Sequence, residues 1–186
     1  MTVEHKIIFT GTMGAGKTTA ISAVSAVRMV KTEAANTEQS LYAKATTTVG
    51  LDYGEVILED GAVLRLYGTP GQRRFEFMWR ILMRGAIGLV VLVDNSRPDP
   101  VTDMAIYLDN FPALVNAGAV VVAVGRTESH PLPHLEFYSD YLAARGLSVP
   151  VFAADVRRGD DVLMLLDMLF NLIEAREERL AHGGGS

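Results

Sequence analysis

The stretch Gly11-Thr12-Met13-Gly14-Ala15-Gly16-Lys17-Thr18 fits G-x-x-x-x-G-K-[ST] at every fixed position. It follows an apolar run over Lys6–Thr10 that reads as a strand. It opens a helical pattern over Thr18–Val30, and strand–bend–helix is the context in which the motif has meaning. Glycines let the chain wrap closely and point backbone N–H groups inward, and the helix N-terminus adds its positive end. Lys17 reaches the β- and γ-phosphate oxygens, and the Thr18 hydroxyl is placed to ligate Mg²⁺. Such a bend holds a nucleoside triphosphate, with Thr12, Met13, Gly14, Ala15, Gly16, Lys17, Thr18 and Thr19 as the expected phosphate-side contacts. The dinucleotide fingerprint G-x-G-x-x-G needs no lysine and does not fit. A kinase, an ATPase and a GTP-driven switch all use this bend, so the rest of the chain must separate them.

The following segments recur as apolar strands with helical patterns between them. Gly54–Glu59 and Ala62–Gly68 read as a hairpin turned at Glu59-Asp60-Gly61, because Asp-Gly between β-prone runs favours a tight turn. Phe75–Met83 reads as an amphipathic helix and Gly88–Val93 as an apolar strand. Met104–Asn116 is a helix in which Pro112 makes a kink or a break. Val120–Gly125 is a strand, Pro133–Ala144 a helix, Val149–Ala153 a strand and Asp160–Leu180 the last helix. Strands that are apolar without alternation want cover on both faces, which the intervening helices supply. The expectation is an α/β, P-loop NTPase three-layer fold. Its six-stranded, mostly parallel sheet has one antiparallel edge strand, with about five helices. Residues 1–181 read as a single domain and 182–186 as a flexible tail, in part an appended linker. Lys31–Thr48 is polar, without a clear period, and reads as a long functional loop.

Of the 186 residues about half are apolar, and the formal charge is -5. Disorder is thereby disfavoured, and so is a nucleic-acid surface. Cysteine is absent, which removes thiol nucleophiles, disulfides and thiolate metal sites. No secretory signal is visible, and no apolar run approaches the roughly 20 residues of a spanning helix. A cytoplasmic protein is expected. There is no terminal cysteine for prenylation, and Thr2 stands where myristoylation needs glycine, so membrane recruitment would be indirect, through protein. His5, His130, His134 and His182 make no metal set, because Pro131 and Pro133 spoil the helical spacing of His130 and His134.

Two further stretches separate the candidates: Thr46-Thr47-Thr48-Val49-Gly50-Leu51-Asp52-Tyr53, and Leu66-Tyr67-Gly68-Thr69-Pro70-Gly71-Gln72-Arg73-Arg74-Phe75. Here the chain resembles a Ras-superfamily small GTPase, closest to the bacterial MglA-like members with T-P-G-Q in the second switch. TVGLDY resembles the T-I-G-V-D-F run of a Rab-like first switch. YGTPGQRRF resembles the W-D-T-A-G-Q-E-R-F run of the second. The resemblance implies GTP/GDP and Mg²⁺ as ligands, with Thr18 and Thr48 on the metal. It also implies a γ-phosphate contact from the Gly71 N–H and a water oriented by Gln72, while Lys17 stabilises charge. Arg73 and Arg74 are candidates for an arginine turned toward the phosphates, or for partner contacts. A Roadblock-type, MglB-like regulator or effector is the implied protein partner. The aromatic Phe75, Phe77 and Trp79 would serve either the core or a nucleotide-dependent interface.

The chain departs from the family pattern at four places. Gly68 replaces an Asp that commonly holds a Mg²⁺-bound water, and no substitute carboxylate is evident in the sequence. Met13 stands where many relatives have a glycine beside the γ-phosphate, so intrinsic hydrolysis should be slow. The guanine-reading N-K-x-D becomes Gly125-Arg126-Thr127-Glu128. Arg126 can stack on a purine, and the Glu128 carboxylate can accept the guanine N1–H and amino group, donors that neutral adenine does not offer in that arrangement. The loop after the last strand reads Asp155-Val156-Arg157, with Val156 and Arg157 as candidate base neighbours. The leading expectation is a GTP-binding switch with slow hydrolysis that controls a protein partner. A degenerate nucleotide-binding scaffold and a small-metabolite kinase remain as alternatives.

Overall fold

The structure is a computed structural model that describes residues 4–25, 32–34 and 49–183. Strand β1 (Glu4–Gly11) leads into helix α1 (Lys17–Val24). Then come β2 (Thr32–Ala34), β3 (Val49–Ile57) and β4 (Val63–Gly68). A 3₁₀ turn over Arg73–Phe75 opens α2 (Glu76–Met83), followed by β5 (Gly88–Asp94) and α3 (Pro100–Asn110). The chain continues through α4 (Pro112–Asn116), β6 (Val120–Gly125), α5 (Leu135–Ala144), β7 (Val151–Ala153) and α6 (Gly159–Gly183).

The strands form one sheet in the order β2-β3-β4-β1-β5-β6-β7. β1 pairs in parallel with both β4 and β5, and β6 and β7 continue in parallel. β3 runs antiparallel to β4, as the hairpin reading requires. The six expected strands are present, and β2 adds a seventh at the edge, antiparallel to β3. Part of the stretch read as a loop over Lys31–Thr48 is therefore strand. The hairpin turns where Asp-Gly predicts. Gly61 takes φ 82°, Asp60 Oδ1 accepts the Ala62 N–H, and Gly61 N–H donates to the Leu58 carbonyl.

Successive residues of the central strands face opposite cores. Ile8, Leu89, Val91, Val93, Val122 and Val124 pack beneath α2, α3 and α5, with Trp79, Met104 and Tyr138. Ile7, Phe9, Val90, Leu92, Val121 and Ala123 pack beneath α1 and α6, with Ile21, Val162, Leu165 and Leu169. This explains the unbroken apolar runs in the sequence: neither face of these strands meets water. At roughly 1.5–3 kcal/mol for each fully buried aliphatic side chain, the two layers hold the sheet's carboxyl edge fixed.

Several element boundaries differ from the sequence reading. β3 begins at Val49, not Gly54, and α6 runs to Gly183, into the stretch read as a tail. α1 ends at Val24, where Ser25 turns to extended backbone; the rest of the expected helix, residues 26–30, lies outside the described residues. α3 begins at Pro100, not Met104, because Asp99 caps it by accepting the Thr102 N–H and Pro100 pre-sets the first turn. Pro112 breaks the helix outright: Phe111 leaves helical geometry and α4 starts afresh.

Candidate nucleotide site

In an open sheet of this kind, ligands bind outside the carboxyl ends of the strands, where the chain direction switches sides. From β1 the chain returns to the sheet on the β4 side, and from β4 it crosses to β5. The bends after β1, β4, β5, β6 and β7 all emerge on that edge. A cleft of ≈ 430 Å³ lies there, lined by Met13, Gly14, Gly16, Lys17, Thr18, Thr19, Asp52 and Gly71, among others.

The phosphate loop is built for a ligand. Gly14 and Gly16 take φ 83° and 100°, backbone that a side chain would strain. A Cβ on Gly16 would also meet the Val156 side chain at 2.6 Å. Val156 therefore braces the loop from the β7 side. The N-terminus of α1 has no side-chain cap, which leaves its first N–H groups for another partner. Lys17 is 7% exposed, and its ammonium donates to the Gly11 and Thr12 carbonyls at 2.7 Å each. Burial pulls its pKa down to about 8, against a smaller upward pull from Asp52. The Thr12 hydroxyl is buried without a hydrogen-bond partner, the kind of orphan that an incoming polar ligand relieves. Two carbonyls holding the lysine and an uncapped helix together fit an anion with several oxygens.

The loop after β4 is pinned at three successive residues. The Thr69 N–H donates to the Phe9 carbonyl, and its hydroxyl meets that of Thr10 at 2.8 Å. The indole N–H of Trp79 donates to the Pro70 carbonyl at 2.9 Å, and the Tyr107 hydroxyl donates to the Gly71 carbonyl at 3.1 Å. Trp79 is fully buried beside Tyr107 and stacked near Phe111, so it serves the core. Phe77 and Ile81 of the same helix are each 60% exposed. Gly71 presses on the phosphate loop so closely that a Cβ would lie 2.5 Å from the Met13 nitrogen. The Gln72 side-chain amide reaches the Met13 thioether at 3.7 Å. The Arg74 guanidinium lies 4.8 Å from the centre of the Phe75 ring and does not line the cleft. Arg73 begins the 3₁₀ turn. Thr48 lies outside the described residues.

Arg126 is the connection between the base-side loop and the phosphate loop. It takes φ 62°, a conformation that non-glycine residues adopt rarely and that concentrates at functional sites. Its guanidinium pairs with Asp94 at 3.0 Å, donates to the Ser96 hydroxyl at 3.1 Å and reaches the Gly14 carbonyl at 3.2 Å. Its stem thus spans the space between β6 and the phosphate loop. Asn95 knits the loop that follows: its amide donates to the His130 and Pro133 carbonyls, and its carbonyl accepts from Tyr138. Glu128 is exposed, and its charge is felt by Arg157. Arg157 itself is clasped by Asp155, whose carboxyl that bond holds down to about 2. Ala15 sits inside the loop, its N–H donating to the Thr12 carbonyl.

Asp52 was not among the residues singled out from sequence. The Thr18 hydroxyl donates to its Oδ2 at 2.7 Å. The signal was present in the hairpin: a turn at Asp60-Gly61 fixes a register in which Asp52 faces Gly68. Tyr107 and Trp79 gave no comparable signal, because their polar contacts depend on how two helices pack.

Comparison with known proteins decides the family. The family described as "Conserved hypothetical ATP binding protein" matches residues 25–141. The chain belongs to that family. An uncharacterized protein of Methanocaldococcus jannaschii is 32% identical over 95 residues, covering 50% of this chain and 53% of its own length. The Ras-related protein RabC of Dictyostelium discoideum is 23% identical over 179 residues, 93% of this chain and 85% of that protein. Human Ras-related protein Rab-44 is 28% identical over 122 residues, 64% of this chain but 11% of its own length. The chain thus spans about half of the archaeal relative and a small part of Rab-44. It shares distant, Rab-like homology with the Ras superfamily, and with the phosphate loop this supports a nucleotide-binding role. Among the described residues no helix is long and apolar enough to cross a membrane.

Proposed function

We propose that the protein is a GTP-binding switch that hydrolyses GTP slowly to GDP and phosphate and changes its affinity for a protein partner with the nucleotide. The observation that carries this reading is the span of Arg126 from the base-side loop to the Gly14 carbonyl, with Glu128 two residues further on. A purine resting on the Arg126 stem would present its N1 edge to the Glu128 carboxylate, which suits the two donors of guanine. Val156, which packs on Gly16, and Arg157 would border the base. On the phosphate side the uncapped helix, Lys17 and the buried Thr12 hydroxyl suit a triphosphate. Mg²⁺, held by the phosphates, Thr18 and, outside the described residues, Thr48, would neutralise charge between the β- and γ-phosphates. The Gly71 N–H would meet the γ-phosphate, and the Gln72 amide would orient the attacking water. The contact between that amide and Met13 favours a slow rate, since Gln72 must leave the thioether to reach the water. Arg74 is assigned to a partner surface together with the exposed Phe77 and Ile81. A Roadblock-type regulator is the partner that the resemblance suggests.

An adenine nucleotide is the second reading, favoured by the description of the family as ATP binding. Titration of fluorescent GDP, GTP, ADP and ATP analogues separates the two. Guanine binding at micromolar levels or tighter, with little adenine binding, supports the switch. Equal or adenine-favouring affinity refutes the guanine assignment. Single-turnover hydrolysis then tests the catalytic part, and a protein that binds GTP without cleaving it is a scaffold.

A further inference from the structure

The chain has glycine at position 68, where a Cβ would meet the Asp52 side chain and Ile21. The neighbouring strand fills that place. Asp52 of β3 is the direct antiparallel partner of Gly68 of β4, so the side chains of the two positions share a face. A Cβ on Gly68 would lie 2.9 Å from the Asp52 Cβ and 3.0 Å from its Oδ2. The two positions therefore compete for one space, and only one can carry a carboxylate. Asp52 lines the cleft, and its Oδ2 accepts the Thr18 hydroxyl proton at 2.7 Å. With that proton directed to Asp52, the lone pairs of the hydroxyl oxygen remain for a cation.

From this geometry we infer that Asp52 is the anionic protein group of the divalent-cation site, supplied from β3 in place of a carboxylate at the end of β4. It holds the Thr18 hydroxyl and accepts from a cation-bound water. Mg²⁺ is commonly bound through one or two carboxylates together with substrate phosphates, so a single aspartate suffices. Among the described residues no group of three or more acidic or histidine side chains offers a competing cage. Asp94, another carboxylate on this edge of the sheet, is engaged by Arg126 and by Ser96, and Asp155 by Arg157.

The inference rests on the nucleotide-binding part of the proposed function but not on the base. The test is therefore run on the full chain loaded with whichever of GDP or ADP it retains. Mn²⁺ is titrated in by electron paramagnetic resonance, and the nucleotide affinity is measured with and without Mg²⁺. Asp52→Asn keeps an acceptor for Thr18 and loses only the charge. It should weaken Mn²⁺ binding about 10- to 100-fold and reduce the Mg²⁺-dependent gain in nucleotide affinity by a similar factor. A tether without a role at the cation would leave both quantities where they were, and that result overturns the assignment. Wild-type nucleotide binding that is indifferent to Mg²⁺ overturns it as well. Retention of ADP in place of GDP would sink the guanine reading alone, and Asp52 would still be judged by the Mn²⁺ comparison. Retention of neither nucleotide would sink the functional reading and this assignment together.

Discussion

Lys17 makes nucleotide binding a proton-linked event. In the free protein its ammonium is buried against two carbonyls, and its pKa lies at about 8. A phosphate chain brings several negative oxygens to that ammonium and raises the pKa again, so binding takes up protons wherever free Lys17 is partly neutral. The affinity is therefore greatest below the free-state value and falls as the pH rises through it. From a pKa of about 8, uptake at pH 8 should be about half a proton, and the affinity should fall about fourfold between pH 7 and 8.5, some 0.8 kcal/mol. Calorimetry at pH 8 in two buffers of different ionisation heat measures the uptake directly, and fluorescence titrations across the range give the affinity. Folding stability of the free protein moves the other way. An unfolded chain keeps the Lys17 proton to about 10.5 and the folded one only to about 8, so the penalty is complete below pH 8 and relieved between 8 and 10.5. No proton uptake at pH 8, with flat affinity up to pH 8.5, would refute the claim that burial governs this lysine.

Three other outcomes are expected. Glu128→Ala should cost guanine binding about 1.5–3 kcal/mol, roughly 10- to 100-fold, while adenine affinity stays level, as read by competition titration. Gly71→Ala forces a Cβ into the Met13 and Thr12 backbone; it should lower the stability by about 1–3 kcal/mol in urea and weaken triphosphate binding more than diphosphate binding. Trp79→Phe keeps most of the packing but strands the Pro70 carbonyl; a loss of about 1–3 kcal/mol is expected in the same denaturation assay.

Much of the architecture was legible because parallel strands covered on both faces leave an unmistakable trace. AIGLVVLV and AVVVAV have no polar alternation, and β5 and β6 lie where those runs stand. The phosphate loop was legible for a different reason: glycines at fixed spacing followed by Lys-Thr have few other uses. Helix ends were harder. Ser25 and Asp99 mark ends set by a local choice of backbone, and the Asp99-Pro100 cap outweighed an apolar periodicity that begins only at Met104. The site contacts that escaped were those joining distant segments. Arg126 to Gly14, Tyr107 to Gly71 and Thr18 to Asp52 are separated by 112, 36 and 34 residues. Only the last was within reach, through hairpin register.

The pinning of Thr69, Pro70 and Gly71 has a mechanical consequence. Each of the three is fastened to a different element, β1, α2 and α3. This half of the loop is an abutment, and the helix behind it is a lever arm bolted to the abutment through Trp79. α2 swings only by releasing the indole from Pro70, and the pivot then falls at Gln72. The fulcrum of the lever and the side chain assigned to water are then one residue. Pushing on the exposed Phe77 and Ile81 end of the arm would turn Gln72 relative to Met13, and a partner seated there would act on the water without entering the cleft.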